Sequence, residues 1–111
     1  MNVTLTTTGR LSGEPRTVPL YAWEDADRLV VVGSQGGSPQ DPHWARNLRA
    51  DPRATIKTGR QVLDVRASEV AAAERDRLWS LVVEAFPLYA TYQCKTERLI
   101  PLFVLETVDA A

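Results

Sequence analysis

The chain has 111 residues, 44% of them hydrophobic and 24% charged, with a net charge of -1. That length suits one domain with a real core, spanning 1–111, and leaves no room for a second. The charge balance gives no reason to expect nucleic-acid binding or peripheral membrane contact, and the single Cys94 rules out an internal disulfide and any Cys-rich metal site.

In chain order, the β-branched "VTLTTT" (3–8) predicts a strand, and "RTVPLYAW" (16–23) predicts a second. Pro19 cannot donate to a ladder, so that strand must lie at an edge or carry a bulge. "EDAD" (24–27) is a polar turn, and the apolar run in "RLVVVGS" (28–34) predicts a third strand buried on both faces. A loop, "QGGSPQ" (35–40), leads into a helix over 41–52. Asp41 is its expected cap, Pro42 suits its first position, and Pro52 closes it. Trp44 and Leu48 share one face, and His43 is expected to be exposed in the first turn.

Residues 53–70 predict a hairpin turning at Thr58-Gly59-Arg60, with Val62, Asp64, Arg66 and Ser68 on one face and Leu63 and Val65 on the other. Residues 71–86 predict an amphipathic helix with Leu78, Leu81, Val82 and Ala85 as its apolar stripe. A short helix or turn follows over 88–98, with Cys94 as a packed thiol, then a last strand over 99–107. The tail 108–111 is expected to fray. About six strands arranged as hairpins, with two or three helices, predict an α+β fold that is mainly β: an antiparallel sheet closed into a small barrel with packed helices. The apolar runs are too short to span a bilayer and no leader is visible, so a cytoplasmic setting is expected.

Three segments carry chemistry. In Gly9-Arg10-Leu11-Ser12-Gly13-Glu14-Pro15-Arg16, two glycines permit close backbone approach and two guanidinium groups can grip phosphate or carboxylate. Thr8, Ser12 and Thr17 add hydroxyls. The same residues are also compatible with a solvated hairpin loop. Gly33-Ser34 and Gly36-Gly37 let a flat group approach a strand end, or simply form a flexible connection. Tyr89 and Tyr92 either line a pocket with their hydroxyls available or form an ordinary packing face. His43 is the only histidine, which removes multi-histidine metal sites, so no metal is expected. The carboxylates show no catalytic pairing, and a bound organic cofactor is the expected carrier of any reaction.

Taken together, "LTTTGRLSGEPRTVPL", "VVVGSQGGSPQDPHWARNLRADP" and "RLWSLVVEAFPLYATYQCKTERLIPLFVLE" resemble the deazaflavin-dependent nitroreductase and F420H2-dependent quinone reductase family, over roughly residues 4 to 106. The resemblance implies a split β-barrel of the FMN-binding-like type and use of coenzyme F420. It implies hydride transfer from the reduced deazaflavin to a small-molecule acceptor: a quinone, enone or nitro compound. Arg10, Ser12, Gly13 and Arg16 match the segment that holds the cofactor's phosphate and acidic tail, and Thr17, Val18 and Pro19 would run beside its rings. Gly33, Ser34, Gly36 and Gly37 match the second cofactor loop. Trp44, Asn47 and Leu48 match the helix that closes the site. Tyr89 and Tyr92 match tyrosines near the substrate and are the candidate proton donors, and Arg98 matches an anchor of the lid. Leu11 and Gln35 stand where basic residues are frequent in the family, and Glu14 adds negative charge to the cradle. The chain begins almost at the first strand, where many members carry an N-terminal helical segment that helps cover the substrate pocket. A homodimer is expected. The alternatives are a non-catalytic F420 or lipid binder, or an FMN-binding protein on the same barrel.

Overall fold

The structure is a computed structural model that describes residues 1–108. Its frame is a seven-stranded sheet in the order β2-β1-β5-β6-β7-β4-β3. The strands are β1 (Asn2–Thr8), β2 (Pro15–Tyr21), β3 (Trp23–Asp25), β4 (Arg28–Val32), β5 (Arg53–Thr58), β6 (Gln61–Glu69) and β7 (Leu102–Thr107). Every pairing is antiparallel. Three helices accompany them: α1 (His43–Ala50), α2 (Ala72–Ala85) and α3 (Leu88–Cys94), with a 3₁₀ turn at Gln35–Gly37.

The sheet curls because its two ends are one stretch of chain. β2 and β3 lie at opposite ends of the strand order, yet only Ala22 separates them in sequence. The expected strand over 16–23 is therefore divided, and the expected turn at 24–27 narrows to Ala26-Asp27. Ala22 is fully buried, its N–H donates to the Met1 carbonyl at 2.8 Å, and the terminal ammonium donates back to the Ala22 carbonyl at 2.7 Å. Pro19 sits on edge strand β2 opposite Thr4, where a missing N–H leaves no ladder bond unmade.

Burial alternates along β1, with Val3, Leu5 and Thr7 inside. In β4, Val30, Val31 and Val32 are all buried, as the unbroken apolar run predicts. The reason is two cores on opposite faces. Val31, Phe103 and Leu105 join the barrel interior with Leu5, Ile56 and Val65, and α1 plugs that interior with Trp44, Ala45 and Leu48. Val30, Val32, Leu102 and Val104 face outward into a second core, under Leu78 and Val82 of α2 and Tyr89 of α3.

Several expectations need correction. Asp41 does not cap α1: Pro42 is the N-cap residue and no side chain caps the helix. The Asp41 carboxylate instead accepts from Arg98 at 2.6 Å and Arg49 at 2.7 Å, since two guanidinium partners outcompete a single amide. Ala85 is exposed as the last residue of its helix, where the apolar stripe ends. Cys94 is an exposed thiol because α3 lies at the surface with that face outward. The last strand starts only at Leu102, after Pro101. Of the tail, Val108 is tied to the Asp64 carbonyl at 2.9 Å, and 109–111 lie outside the described residues. Among the described residues no helix is long and apolar enough to cross a membrane.

Candidate active site

A cavity of about 820 Å³ opens between the β1–β2 hairpin loop, the inner side of β2, the N-terminal half of α1 and the end of β4. That volume lies within the range of small-molecule and cofactor pockets. Arg10, Ser12, Arg16, Thr17, Val18, Pro19, Ser34, Trp44, Asn47 and Tyr89 all line it. Residues from four separate stretches of sequence thus meet around one space.

The hairpin loop owes its shape to backbone bonds. Gly9 N–H donates to the Glu14 carbonyl at 2.8 Å and Gly13 N–H to the Gly9 carbonyl at 2.8 Å. Gly13 has φ of +74°, with open space where a Cβ would stand. Gly9 is buried, and a Cβ there would lie 2.7 Å from the Ser12 hydroxyl. The turn is therefore tight at position 9, where a Cβ would also lie 3.2 Å from the Glu14 carbonyl, and favours glycine at 13 for conformation.

Arg10 is held from beneath. Asn47 is 3% exposed, and its Oδ1 accepts from the Arg10 backbone N–H at 3.2 Å and from Arg10 Nη1 at 3.0 Å. The Asn47 amide then donates to the buried Thr7 hydroxyl at 3.1 Å. One buried amide thus joins α1 to β1 and aims a guanidinium at the cavity mouth. Arg16 reaches the Ser12 hydroxyl at 3.3 Å. Among the described residues neither Arg10 nor Arg16 pairs with a carboxylate, whereas Arg28, Arg49, Arg53, Arg77 and Arg98 all do. The charge at this mouth is not neutralised from within.

The rest of the lining is largely apolar and aromatic, with Val18, Leu20, Val32, Trp44 and Tyr89. Tyr89 is 8% exposed, with Phe86 edge-on at 4.8 Å between ring centroids. Its hydroxyl accepts from Trp23 Nε1 at 3.2 Å. Burial pushes its phenol above the ordinary value, and the Trp23 bond pulls it part of the way back.

Seven expected site residues do not line the cavity: Gly13, Gly33, Gly36, Gly37, Leu48, Tyr92 and Arg98. Leu48 belongs to the barrel core. A Cβ on Gly33 would meet Pro101 at 2.8 Å, and one on Gly37 would meet the Tyr92 carbonyl at 2.7 Å. Those glycines allow the loop to seat against the protein itself. Tyr92 packs 6.5 Å from Tyr89 and 6.5 Å from Phe86, with the Lys95 ammonium 5.9 Å from its ring centroid. Arg98 clamps the loop before α1, donating to the carbonyls of Gly33 (3.1 Å), Ser34 (2.6 Å) and Ser38 (2.7 Å) as well as to Asp41.

Sequence reasoning overlooked three contributors: His43, Leu20 and Trp23. His43 is exposed, as expected, but also faces the cavity, with Nδ1 3.5 Å from both Arg10 terminal nitrogens. Its spacing of four from Asn47 was the available signal. Leu20 also lines the cavity, as does Gln35, which the sequence already placed at the cradle. Trp23, the donor to the Tyr89 hydroxyl, had no local signal at all, since the two are 66 residues apart. Among the described residues no group of three or more His, Cys, Asp or Glu side chains is placed to hold a metal ion.

A family model described as F420H2-dependent quinone reductase matches residues 1–107. An F420H2-dependent quinone reductase of Mycobacterium tuberculosis is 39% identical over 104 residues, covering 91% of this chain and 70% of the relative. A solved F420-H2 dependent reductase superposes with a TM-score of 0.84 at 45% identity, covering 95% of this chain and 93% of that one. Another structure, described as a domain-swapped dimer, has the same score and identity and is covered over 79% of its length. A heme storage protein from Vibrio cholerae shares the fold alone, with a TM-score of 0.74 at 18% identity over 98% of this chain and 82% of its own. On the match over residues 1–107 and the identity to its mycobacterial relative, this chain belongs to the F420H2-dependent quinone reductase family.

Proposed function

We propose that this chain is an F420H2-dependent reductase acting on quinones, with enones and nitro compounds as further electron-poor acceptors. One observation carries the reading: two guanidinium groups without carboxylate partners stand at the mouth of a cavity whose walls are apolar. A flat redox molecule with an acidic tail calls for that division of polarity, and the donor set fits it. Arg10, Arg16 and Ser12 would hold the anionic tail, and Thr17, Val18, Pro19 and Trp44 would flank the rings. Gly13, Gly36 and Ser34 lie on the two loops that border this space. FMN, which also carries one phosphate, is the competing ligand.

When bound, the reduced cofactor supplies a hydride, and an electron-poor acceptor takes it with its electron pair. The chain's own contribution is placement and charge. Val18, Leu20, Val32 and Trp44 exclude water from the reacting end, which strengthens every polar contact there. The Tyr89 hydroxyl holds a proton at that same end for the acceptor's oxygen as negative charge develops on it. Tyr92 lies outside the cavity and supports the Tyr89 ring. Leu11, 90% exposed, and the exposed Glu14 and Gln35 leave the cradle only Arg10 and Arg16 as permanent cations. Binding is accordingly expected to weaken steeply with salt. We also propose a homodimer in a reducing cytoplasm, in keeping with the free exposed thiol of Cys94.

The test is titration with oxidised F420 beside FMN, then mixing the reduced form with menadione. Saturable, salt-sensitive F420 binding that FMN does not displace is expected, with oxidation that depends on menadione. Arg16→Ala should weaken binding roughly tenfold, the loss of one charge-assisted contact. Unchanged affinity in that variant would remove the assigned cradle. Binding without oxidation would leave a carrier, and co-purified lipid with no F420 uptake would leave a lipid binder.

A further inference from the structure

Tyr89 is one of three tyrosines, and its hydroxyl has a single hydrogen-bond partner among the described residues. That partner is the indole N–H of Trp23, at 3.2 Å. An indole nitrogen donates and never accepts, whereas a phenol does both. The direction of this bond is therefore settled by chemistry: Tyr89 accepts, and its own proton is not consumed. We infer that Trp23 is the positioning residue for the proton donor of this site, its N–H occupying the back of the Tyr89 hydroxyl so that the phenol's proton is directed into the cavity. The inference rests on the reading of the cavity as a reductase site.

The packing makes the arrangement stiff. Trp23 opens β3 immediately after the buried Ala22 corner and is paired with Val30. Its ring lies 4.5 Å from Tyr21, tilted by 48°, and meets Tyr89 edge-on at 6.3 Å. Phe86 also packs edge-on against Tyr89, 4.8 Å between ring centroids. The phenol ring thus touches both β3 and the segment entering α3. A rotation of Trp23 would carry the N–H away and let the hydroxyl turn its proton back toward the protein.

Trp23 serves the chemistry twice. Before transfer, it sets the direction of the O–H bond. During transfer, the Tyr89 O–H bond breaks, its proton goes to the acceptor's oxygen, and the negative charge left on the phenol oxygen faces an N–H dipole already in place. Solvent then returns a proton to Tyr89. One hydride converts a quinone to its hydroquinone monoanion, and the single proton from Tyr89 completes the neutral hydroquinone. Burial keeps the phenol protonated to higher pH than a free tyrosine, so the donor form persists through neutrality.

Trp23→Phe removes the N–H and keeps an aromatic ring, and Tyr89→Phe removes the hydroxyl. The first measurement needs no cofactor. Carbon NMR of chain labelled at the tyrosine ζ-carbon, with the Tyr89 signal assigned through Tyr89→Phe, should show that signal displaced in Trp23→Phe. Its titration midpoint should move upward, because a bond favouring the phenolate is gone. An unchanged signal and midpoint would overturn the inference. The second measurement is turnover of F420H2 with menadione. Trp23→Phe should lower kcat about tenfold at unchanged KM for F420H2, in line with a lost hydrogen bond in the transition state. It should have no further effect in the Tyr89→Phe background, and Trp23→His, which keeps a ring N–H, should recover part of the loss. An equal loss in both backgrounds would mean that Trp23 acts only as packing and would overturn the inference. If the wild-type chain fails to oxidise F420H2, the proposed function falls, while the NMR result still decides whether Trp23 governs the Tyr89 hydroxyl.

Discussion

Asn47 shows how much one buried side chain can organise. Its amide spends both ends on functional neighbours, Arg10 above and Thr7 below, and it sits almost wholly out of water. Asn47→Ala leaves the Thr7 hydroxyl and the Arg10 amide without their partner, at a cost of about 1–3 kcal/mol. We expect a lower thermal midpoint together with weaker F420 binding, since Arg10 loses its support. Thermal unfolding followed by F420 titration measures both. Asn47→Asp retains the accepting oxygens toward Arg10 but loses the donor to Thr7, and should keep more of the binding than of the stability. Sequence alone marks Asn47 only as one helix position among several, because its partners lie 37 and 40 residues away.

At the scale of elements, the loop between β4 and α1 is shaped by contact, not by composition. Gly36 and Gly37 are adjacent and both have positive φ, +63° and +83°. They are not equivalent. A Cβ on Gly36 meets nothing within 4 Å, whereas one on Gly37 would strike the Tyr92 carbonyl at 2.7 Å and the Lys95 Cβ at 3.0 Å. Gly36→Ala should cost about 1 kcal/mol, the price of a left-handed conformation alone. Gly37→Ala should cost roughly 2–4 kcal/mol, because the loop and α3 must also separate. Denaturant melts of the two variants, side by side, check the ordering, and equal effects would show that the contact with α3 is unimportant. In sequence the doublet reads either as room for a flat group or as a flexible connection, and only the proximity of α3 separates its two members.

At the scale of the whole molecule, an ion-pair cluster fastens the barrel to its outer helix. Asp25 accepts from Arg77 at 3.0 Å and from Arg28 at 2.6 Å, and Arg28 and Arg77 both also reach Glu74 of α2. The Arg77 and Arg28 bonds, in that order, hold the Asp25 carboxyl far below the usual carboxylate range. A carboxylate depressed by folding stabilises above its unfolded pKa of about 4 and loses that contribution as pH falls toward the folded value. Asp25→Asn should therefore lower the thermal midpoint at pH 7 by roughly 5 °C, about 1 kcal/mol for a cluster this near to solvent. The gap to wild type should narrow steadily below about pH 4. A gap that is constant with pH would show that the charge on Asp25 is not what fastens the helix.

The sequence by itself determined most of the elements, the antiparallel class and the segments that border the site. Those depend on local rules: alternation in β1, an unbroken apolar run in β4, glycine at position 59 with φ of +59°, and prolines where helices begin and stop. It also carried the motif that reveals the family. Only the tertiary structure decided that β2 and β3, the two ends of the curled sheet, are joined through Ala22, that Asp41 serves Arg98 and Arg49 instead of its own helix, and that Tyr89 reaches the cavity while Tyr92 does not. Likewise, Trp23 became part of the site only when the chain brought it against Tyr89. Local patterns report the conformation of neighbouring residues, whereas a cavity and its hydrogen-bond directions come from surfaces that meet across dozens of residues.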